Sequence, residues 1–178
     1  MEFLKLIEER RSIRAYKSCE ISREDIEQMI YAAQQAPSWK NSQTGRYYVA
    51  LSSETVRRVR EGCLPSFNFD RTENVSAFII TAFKRGYSGF APDGTATDEH
   101  GNGWGAYDLG LQNQNLLLRA RELGYDTLIM GLRREEKLRD MLGIPEDEAI
   151  MSVIAVGMRA ADPEKPQRKE IEEIAKFF

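Results

Sequence analysis

Two short polar segments near the start of the chain hold the residue types most suited to binding a charged, planar molecule. Residues 10–14, Arg-Arg-Ser-Ile-Arg, place three guanidinium groups and one hydroxyl within five positions. Residues 37–43, Pro-Ser-Trp-Lys-Asn-Ser-Gln, form a segment rich in amides and hydroxyls. Arginine and serine donors together bind phosphate, and an amide-rich turn suits the edge of a heterocycle. The two segments therefore predict a site for a phosphorylated ring compound.

The arginine cluster also has a purely structural interpretation. Cations are favoured in the last turn of a helix by the helix dipole alone, which would explain one or two exposed arginines. It does not explain Ser12 between them, nor the second basic pair, Arg168 and Lys169, at the other end of the chain. The anion site is the interpretation that accommodates all of these residues.

Apolar spacing predicts the elements that frame these segments. A short helix ends near the arginines, and a second helix begins at Ser22 with a capping-box-like start and stops at Pro37. Further strands are predicted at residues 47–51, 77–83, 126–130 and 149–156, and further helices at residues 53–62, 107–123, 135–142 and 170–178. The long polar stretch at residues 84–103 is predicted to be either a functional lid or a mobile excursion.

This order of elements predicts a layered α+β domain with about four strands, spanning residues 1–178 as one unit. The helices outnumber the strands that could cover them, which favours dimerisation. A net charge of −3 disfavours a general nucleic-acid-binding role. No apolar run is long enough to cross a bilayer and no signal peptide is evident, so we expect a cytoplasmic protein. Cys19 and Cys63 are expected to be free thiols.

Three other motifs are weaker than they look. Residues 101–106 fit the pattern G-x-G-x-x-A, but no buried strand precedes them, so a dinucleotide-binding turn is disfavoured. Asp98, Glu99 and His100 are adjacent in sequence and have no second histidine to complete a metal site. That single histidine also lacks the setting of a Ser-His-Asp triad. We expect no metal site and no catalytic side chain of these kinds.

Over nearly its full length the chain resembles the FMN-dependent nitroreductase family. The matching segments are residues 10–16, residues 36–43, Asp-Leu-Gly at 108–110 leading into Gln-Asn-Leu at 114–116, Ile-Met-Gly at 129–131, and Arg168. The resemblance implies an α+β fold with a central, mostly antiparallel sheet of four to five strands flanked by helices. It also implies an intertwined homodimer with FMN bound in two pockets at the interface.

Residue by residue, the resemblance assigns the phosphate to Arg10, Ser12 and Arg168, with Arg11 as a helper. Arg14 would lie by the N1/C2=O edge of the flavin, where a guanidinium stabilises the negative charge of the reduced ring.

The other implied contacts surround the flavin ring. Asn68 would reach the pyrimidine edge, and the backbone at Met130 and Gly131 would lie beside flavin N5. Three residues from the partner chain would contact the ring, namely Pro37, Ser38 and Asn41.

The implied activity is transfer of a hydride from NADPH or NADH, through FMN, to a nitroaromatic, a quinone or a related conjugated acceptor in a ping-pong cycle. The cofactor carries the chemistry, so no side chain needs to act as a nucleophile or base. The alternatives are a relative with other chemistry, such as reductive dehalogenation, ring oxidation or flavin fragmentation, and a non-catalytic flavin-binding protein. The chain departs from the family pattern at Thr44 and Gly45, and residues 86–103 are expected to shape the acceptor side.

Overall fold

An antiparallel sheet of five strands forms the centre of the molecule in the computed structural model, which describes residues 2–178. The strands are β1 (Tyr16–Lys17), β2 (Gly45–Ala50), β3 (Ala77–Lys84), β4 (Asp126–Met130) and β5 (Glu148–Arg159). The predicted mostly antiparallel sheet of four to five strands is confirmed.

The twelve-residue strand β5 organises the sheet. One of its edges pairs with β3, which in turn pairs with β2. The other edge pairs with β4. β1 pairs with the last two residues of β5, Met158 and Arg159, beyond the point where the ladder with β3 ends at Val156. A bulge in the β3–β5 ladder falls between Thr81 and Ala82, and bulges locally re-aim side chains. β5 therefore pairs directly with three of the other four strands.

Both faces of the sheet are buried. Along β3 the side chains alternate: Phe78 and Ile80 pack in one apolar cluster, whereas Ile79 packs in the other. Along β5, Val153 and Ile154 divide between the two clusters in the same way. This burial explains the nearly continuous apolar sequence of the two strands, which have no solvent-facing side.

Helices cover the two faces. The structure contains α1 (Phe3–Glu9), α2 (Arg23–Gln34), α3 (Ser53–Arg58), α4 (Ser66–Asp70), α5 (Gly103–Glu122), α6 (Glu135–Leu142) and α7 (Ile171–Ile174). A π-helical turn, Val59–Cys63, continues α3. The Ser22 hydroxyl accepts a hydrogen bond from the N–H of Asp25 and so caps α2, as its sequence predicts. Gly143 ends α6 in the left-handed conformation.

The structure corrects several predicted boundaries. The helix expected over residues 170–178 is only the four-residue α7, because its apolar residues find no surface to pack against and so short a helix is marginal alone. Helix α5 begins at Gly103, four residues before its predicted start. Strand β1 and helix α4 were not predicted, since each is too short to show a periodic pattern. No helix within residues 2–178 is long and apolar enough to cross a membrane.

Candidate functional site

The arginine-rich segment lies beside strand β4 as an extended chain. Ser12 forms a parallel bridge with Thr127, and the N–H of Ile13 donates to the Thr127 carbonyl at 3.0 Å. Ile13 is buried, and its own carbonyl accepts a hydrogen bond from the buried Tyr16 hydroxyl at 3.0 Å. The segment is therefore fixed on the sheet by its backbone and by one apolar anchor, which leaves the remaining side chains available.

The arginines of this segment differ in what they contact. The Arg11 guanidinium donates to the backbone carbonyls of Glu8 and Arg10 and lines a cavity with Arg121 and Arg159. Arg14 donates to the Ser12 carbonyl at 3.0 Å and lines a different cavity. The segment therefore serves two separate parts of the surface.

Arg10 and Arg168 come together although they are at opposite ends of the chain. Partial burial, then the neighbouring charges of Arg168 and Arg11, lower the pKa of Arg10. No carboxylate of residues 2–178 forms an ion pair with Arg10 or with Arg168, whose recorded donations go to the backbone carbonyls of Pro166 and Gln167. A cluster of cations without a counter-charge is the electrostatic form of an anion site.

Several of the predicted residues line one cavity of about 360 Å³. Arg14, Asn68, Met130 and Gly131 all contribute to its walls. The rest of the lining is Phe67, Arg71, Leu128, Ile129 and Leu132. The structure thus brings together the residues assigned to the ring edge and to the backbone beside it, although they come from three separate parts of the sequence.

Two carbonyls of the backbone after β4 already accept hydrogen bonds. The Leu132 carbonyl accepts from the Asn68 side-chain amide at 2.9 Å, and the Gly131 carbonyl accepts from the Arg133 guanidinium at 2.7 Å. Neither the Gly131 N–H nor the Leu132 N–H has a hydrogen-bond acceptor within residues 2–178. Both residues are exposed, Leu132 to 65%, so these N–H groups are open to solvent and to a ligand acceptor that displaces it.

The second polar segment forms a tight turn elsewhere on the chain. The Ser38 hydroxyl accepts from the N–H of Gln43 at 3.1 Å and closes the turn. Lys40, Asn41 and Gln43 all have positive φ, between 44° and 56°. Pro37, Ser38 and Asn41 do not line the cavity formed by Arg14 and Asn68 of the same chain. The structure therefore does not bring the two predicted halves of the site together within one chain.

The long stretch after β3 is folded and packed. Asp98 caps the N–H of His100 and accepts from the Trp104 indole at 2.7 Å, which together lower the pKa of Asp98. The Trp104 ring lies 4.8 Å from the Trp39 ring, centroid to centroid. Trp104, His100 and Tyr107 line a second cavity of about 360 Å³. This contact between the turn and the loop was not predicted, since nothing in the sequence pairs the two tryptophans.

No group of three or more potential metal-ligating side chains is found in the part of the chain that the structure describes. Cys19 and Cys63 are free thiols. Asp98 and His100, considered above as metal ligands, instead hold the start of α5 and its preceding loop in place.

Comparison with known proteins gives this geometry a context. Residues 7–158 match the model of the nitroreductase family. A candidate NADH dehydrogenase/NAD(P)H nitroreductase of Archaeoglobus fulgidus is 35% identical over 161 residues, which cover 88% of this chain and 84% of that protein. The matched range includes Arg10, Asn68 and Gly131, though it ends before Arg168.

Solved structures extend the similarity to the whole fold. A candidate nitroreductase of Exiguobacterium sibiricum crystallised with FMN superposes with a TM-score of 0.86 at 24% identity, covering 100% of this chain and 98% of that one. An enone reductase of a gut-bacterial fatty acid saturation metabolism superposes with a TM-score of 0.85 at 21% identity, covering 99% and 97%. With the family model matched over most of its length, this chain belongs to the nitroreductase family.

Proposed function

We propose that this protein is an FMN-dependent oxidoreductase that takes a hydride from NAD(P)H and passes it to a small conjugated acceptor. The observation that carries the proposal is the cavity whose walls bring Arg14 and Asn68 together with the backbone of Met130, Gly131 and Leu132. A guanidinium, an amide and free backbone N–H groups suit a heterocycle rich in nitrogen and carbonyl acceptors. The names of the relatives, which include NAD(P)H nitroreductases, support the same chemistry.

The phosphate end of the cofactor would be held by Arg10, Ser12 and Arg168. Partial burial and then the charge of Arg168 lower the pKa of Arg10, and the exposed Ser12 follows two residues along the chain. Arg11 is already bonded to backbone carbonyls, so its help would consist of charge and of fixing the segment. A bound phosphate would relieve the repulsion among these cations.

The ring end would lie in the cavity. Arg14 would supply a permanent positive charge at the N1/C2=O edge, and the Gly131 N–H would donate at N5. Asn68 has its amide N–H group on Leu132, so its side-chain oxygen is the atom left for the pyrimidine edge. When bound, FMN supplies hydride transfer, accepting from NAD(P)H and donating to the acceptor in a ping-pong cycle.

The pocket would be completed by a second copy of the chain. Pro37, Ser38 and Asn41 lie outside the cavity of their own chain, which is expected if they serve the partner's pocket. Apolar side chains at both ends of the chain are strongly exposed and need a covering surface. They are Phe3, Leu4, Ile171, Ile174, Phe177 and Phe178, each more than 60% exposed.

The acceptor side would be aromatic. Trp39, Trp104 and Tyr107 form a connected group of rings beside the second cavity, and flat conjugated acceptors such as nitroaromatics and quinones stack on such surfaces. Other acceptors are compatible with the fold, since one structural neighbour is an enone reductase. The alternatives of dehalogenation, ring oxidation, flavin fragmentation or plain flavin binding would use the same pocket.

An absorption spectrum of the purified protein tests the proposal directly. We expect a flavin spectrum, release of FMN on denaturation, bleaching by anaerobic NADPH or NADH, and recovery on adding a quinone or a nitroaromatic. A colourless protein that does not take up added FMN would refute any flavin function. A yellow protein that NAD(P)H cannot reduce would favour the alternatives. Sedimentation of the FMN complex as a monomer would contradict the shared pocket.

A further inference from the structure

Asp108 is a buried carboxylate whose partners all belong to the segments around the left-handed turn. It lies on α5 and is 3% exposed. Its Oδ2 atom accepts from the backbone N–H of Trp39 at 3.0 Å and from the Ser88 hydroxyl at 2.7 Å. No cation forms an ion pair with it within residues 2–178. Burying a charge is costly unless it is well hydrogen-bonded. The two hydrogen bonds from Trp39 and Ser88 therefore hold Asp108 in place.

Ser88 links Asp108 by hydrogen bonds to the other end of the turn. The Ser42 and Ser88 hydroxyl oxygens are 2.7 Å apart, and the Thr44 hydroxyl is 3.3 Å from Ser88. Because the Ser88 hydrogen is donated to Asp108, the Ser42 hydroxyl is the donor to Ser88. One carboxylate therefore fixes the backbone at Trp39 directly and the side chains of Ser42 and Thr44 through a single serine.

The segment between these two attachments has the most strained backbone in the molecule. Lys40, Asn41 and Gln43 adopt φ values of 44°, 56° and 49°. The left-handed region costs roughly 1–2 kcal/mol for a residue other than glycine, with asparagine among the more tolerant. Such a conformation persists only where its surroundings over-determine it, and the Asp108 bonds flank all three positions.

We propose that Asp108 is a positioning residue that holds the turn in the shape required to close the cofactor pocket of the other subunit. This inference rests on the proposed function, since it takes the turn to contact FMN in the partner's pocket. Both acceptor bonds of Asp108 go to protein groups, so it acts through the turn and not on the reacting atoms. Its effect should therefore appear across the subunit interface and not in its own chain's arginine cluster.

Substitution of Asp108 gives the first test. We expect Asp108→Ala to raise the dissociation constant for FMN about tenfold or more, the scale of losing hydrogen bonds to a charged group. Asp108→Asn keeps a carbonyl oxygen that can accept from Trp39 and should recover part of the affinity. Ser88→Ala should show a smaller loss, because only the second attachment is removed. Val59→Ala, a core substitution remote from the turn, controls for lost stability and should leave FMN affinity unchanged.

Mixed dimers provide the decisive test. A dimer of one Arg10→Ala chain and one Asp108→Ala chain, purified through two different affinity tags, should contain one doubly defective pocket and one intact pocket. We expect one FMN per dimer bound with wild-type affinity. If Asp108 acted on its own chain's pocket, or by loosening its whole chain, no pocket would keep that affinity and the inference would be overturned. Two tightly bound FMN molecules would equally overturn it.

The same measurements separate this inference from the proposed function. If the wild-type protein binds no FMN, the proposed function fails. If the wild type binds FMN and the Asp108→Ala homodimer binds it equally well, the proposed function stands and the positioning role is refuted.

Discussion

The side-chain amide of Asn68 donates to the carbonyl of Leu132 at 2.9 Å and joins α4 to the backbone that follows β4. The backbone carbonyl of Asn68 in turn accepts from the Thr72 hydroxyl at 2.8 Å. Asn68 and Thr72 are both buried. The short helix α4 is thus tied to the Leu132 backbone, and both Asn68 and Leu132 line the cavity.

Removing the Asn68 amide should disturb this tie. We expect Asn68→Leu to destabilise the fold by about 1–3 kcal/mol, because the Leu132 carbonyl loses its partner. FMN affinity should fall as well, since the backbone that lines the cavity loses its tie to α4. Urea unfolding and fluorescence titration with FMN would measure the two effects.

Asn115→Leu is a matched control for that substitution. The Asn115 amide also donates to a backbone carbonyl, that of Ala32 at 3.2 Å, but outside the cavity. It should lower stability without changing the affinity of each pocket for FMN. Equal losses of FMN affinity in the two variants would show that Asn68 has no special part in the site.

The clustered arginines predict effects of opposite sign on stability and binding. Arg10→Ala should weaken FMN binding by about 1.5–3 kcal/mol, the usual range for charge-assisted hydrogen bonds. Without ligand, the same substitution removes repulsion between Arg10 and Arg168, so the melting temperature should stay the same or rise. Melting curves with and without FMN, at low salt to limit screening, would measure both quantities.

Lys169→Ala is the control for the arginine prediction, because it removes a neighbouring charge that does not perturb Arg10. It should change FMN affinity little. Unchanged affinity in Arg10→Ala and Arg168→Ala would remove both from the phosphate site, whatever their effect on melting.

Local sequence patterns predicted much of the frame of this protein. The apolar runs that became β3 and β5 lack alternation because both faces of the sheet are covered, and this is visible in the sequence itself. The capping serine of α2 and the glycine after α6 act within one turn, so they too could be recognised. The resemblance to the nitroreductase family was also confirmed. It could be recognised from the sequence because the motifs of the family are short and follow one another in a fixed order along the chain.

The contacts that set the site could not be predicted from local patterns. Asp108 and Trp39 are 69 positions apart, and neither residue carries a signal that names the other. The left-handed conformations of Lys40 and Gln43 run against local preference, and the bonds that flank them come from a distant part of the sequence. The C-terminal helix failed as a prediction for a related reason: helical periodicity near residue 170 is real, but no surface of the same chain stabilises it.

Behind the arginine segment, a buried ion pair supports both β4 and β5. Asp126 is almost fully buried and accepts from the Arg159 guanidinium at 2.6 and 2.9 Å and from Arg121 at 3.4 Å. Arg159 also donates to the carbonyl of Glu9 at 3.4 Å. Removing one partner of such a pair leaves buried charge uncompensated, so Asp126→Ala should cost about 3–5 kcal/mol in unfolding free energy.

Asp162→Ala provides the comparison for Asp126. Asp162 also pairs with Arg159, but its side chain is exposed, and exposed pairs contribute about 1 kcal/mol or less. In chemical unfolding, Asp126→Ala should lose at least about three times as much unfolding free energy as Asp162→Ala. Equal losses would mean that the buried pair contributes no more to the free energy of unfolding than the exposed pair does.

The bond between Tyr125 and Asp25 predicts a pH-dependent contribution to stability. The Tyr125 hydroxyl donates to Asp25 Oδ2 at 2.8 Å and links the start of α2 to the segment between α5 and β4. This bond, with those from Ser22, lowers the pKa of Asp25 below its ordinary 3.8. Burial, and then Asp25, raises the pKa of Tyr125 from 10.0 to about 12.

The signs of these shifts define the pH window. A carboxylate with a lowered folded pKa stabilises the fold above its ordinary pKa and loses that contribution as pH falls through the folded value. A tyrosine with a raised pKa contributes below 10 and loses its contribution as pH rises through about 12. Tyr125→Phe should therefore unfold at lower urea concentration than the wild type between these limits, and the difference should shrink in acid below the ordinary Asp25 pKa.

Tyr31→Phe is the control, because the Tyr31 side chain is exposed on α2 and its hydroxyl has no hydrogen-bond partner within residues 2–178. Its unfolding midpoint should follow that of the wild type at every pH. If the gap between Tyr125→Phe and the wild type persists unchanged in strong acid, the hydroxyl stabilises the fold through its other contact, the Glu20 carbonyl at 3.5 Å, and not through the charge of Asp25. A gap that closes as Asp25 becomes protonated identifies the hydroxyl–carboxylate bond as its source.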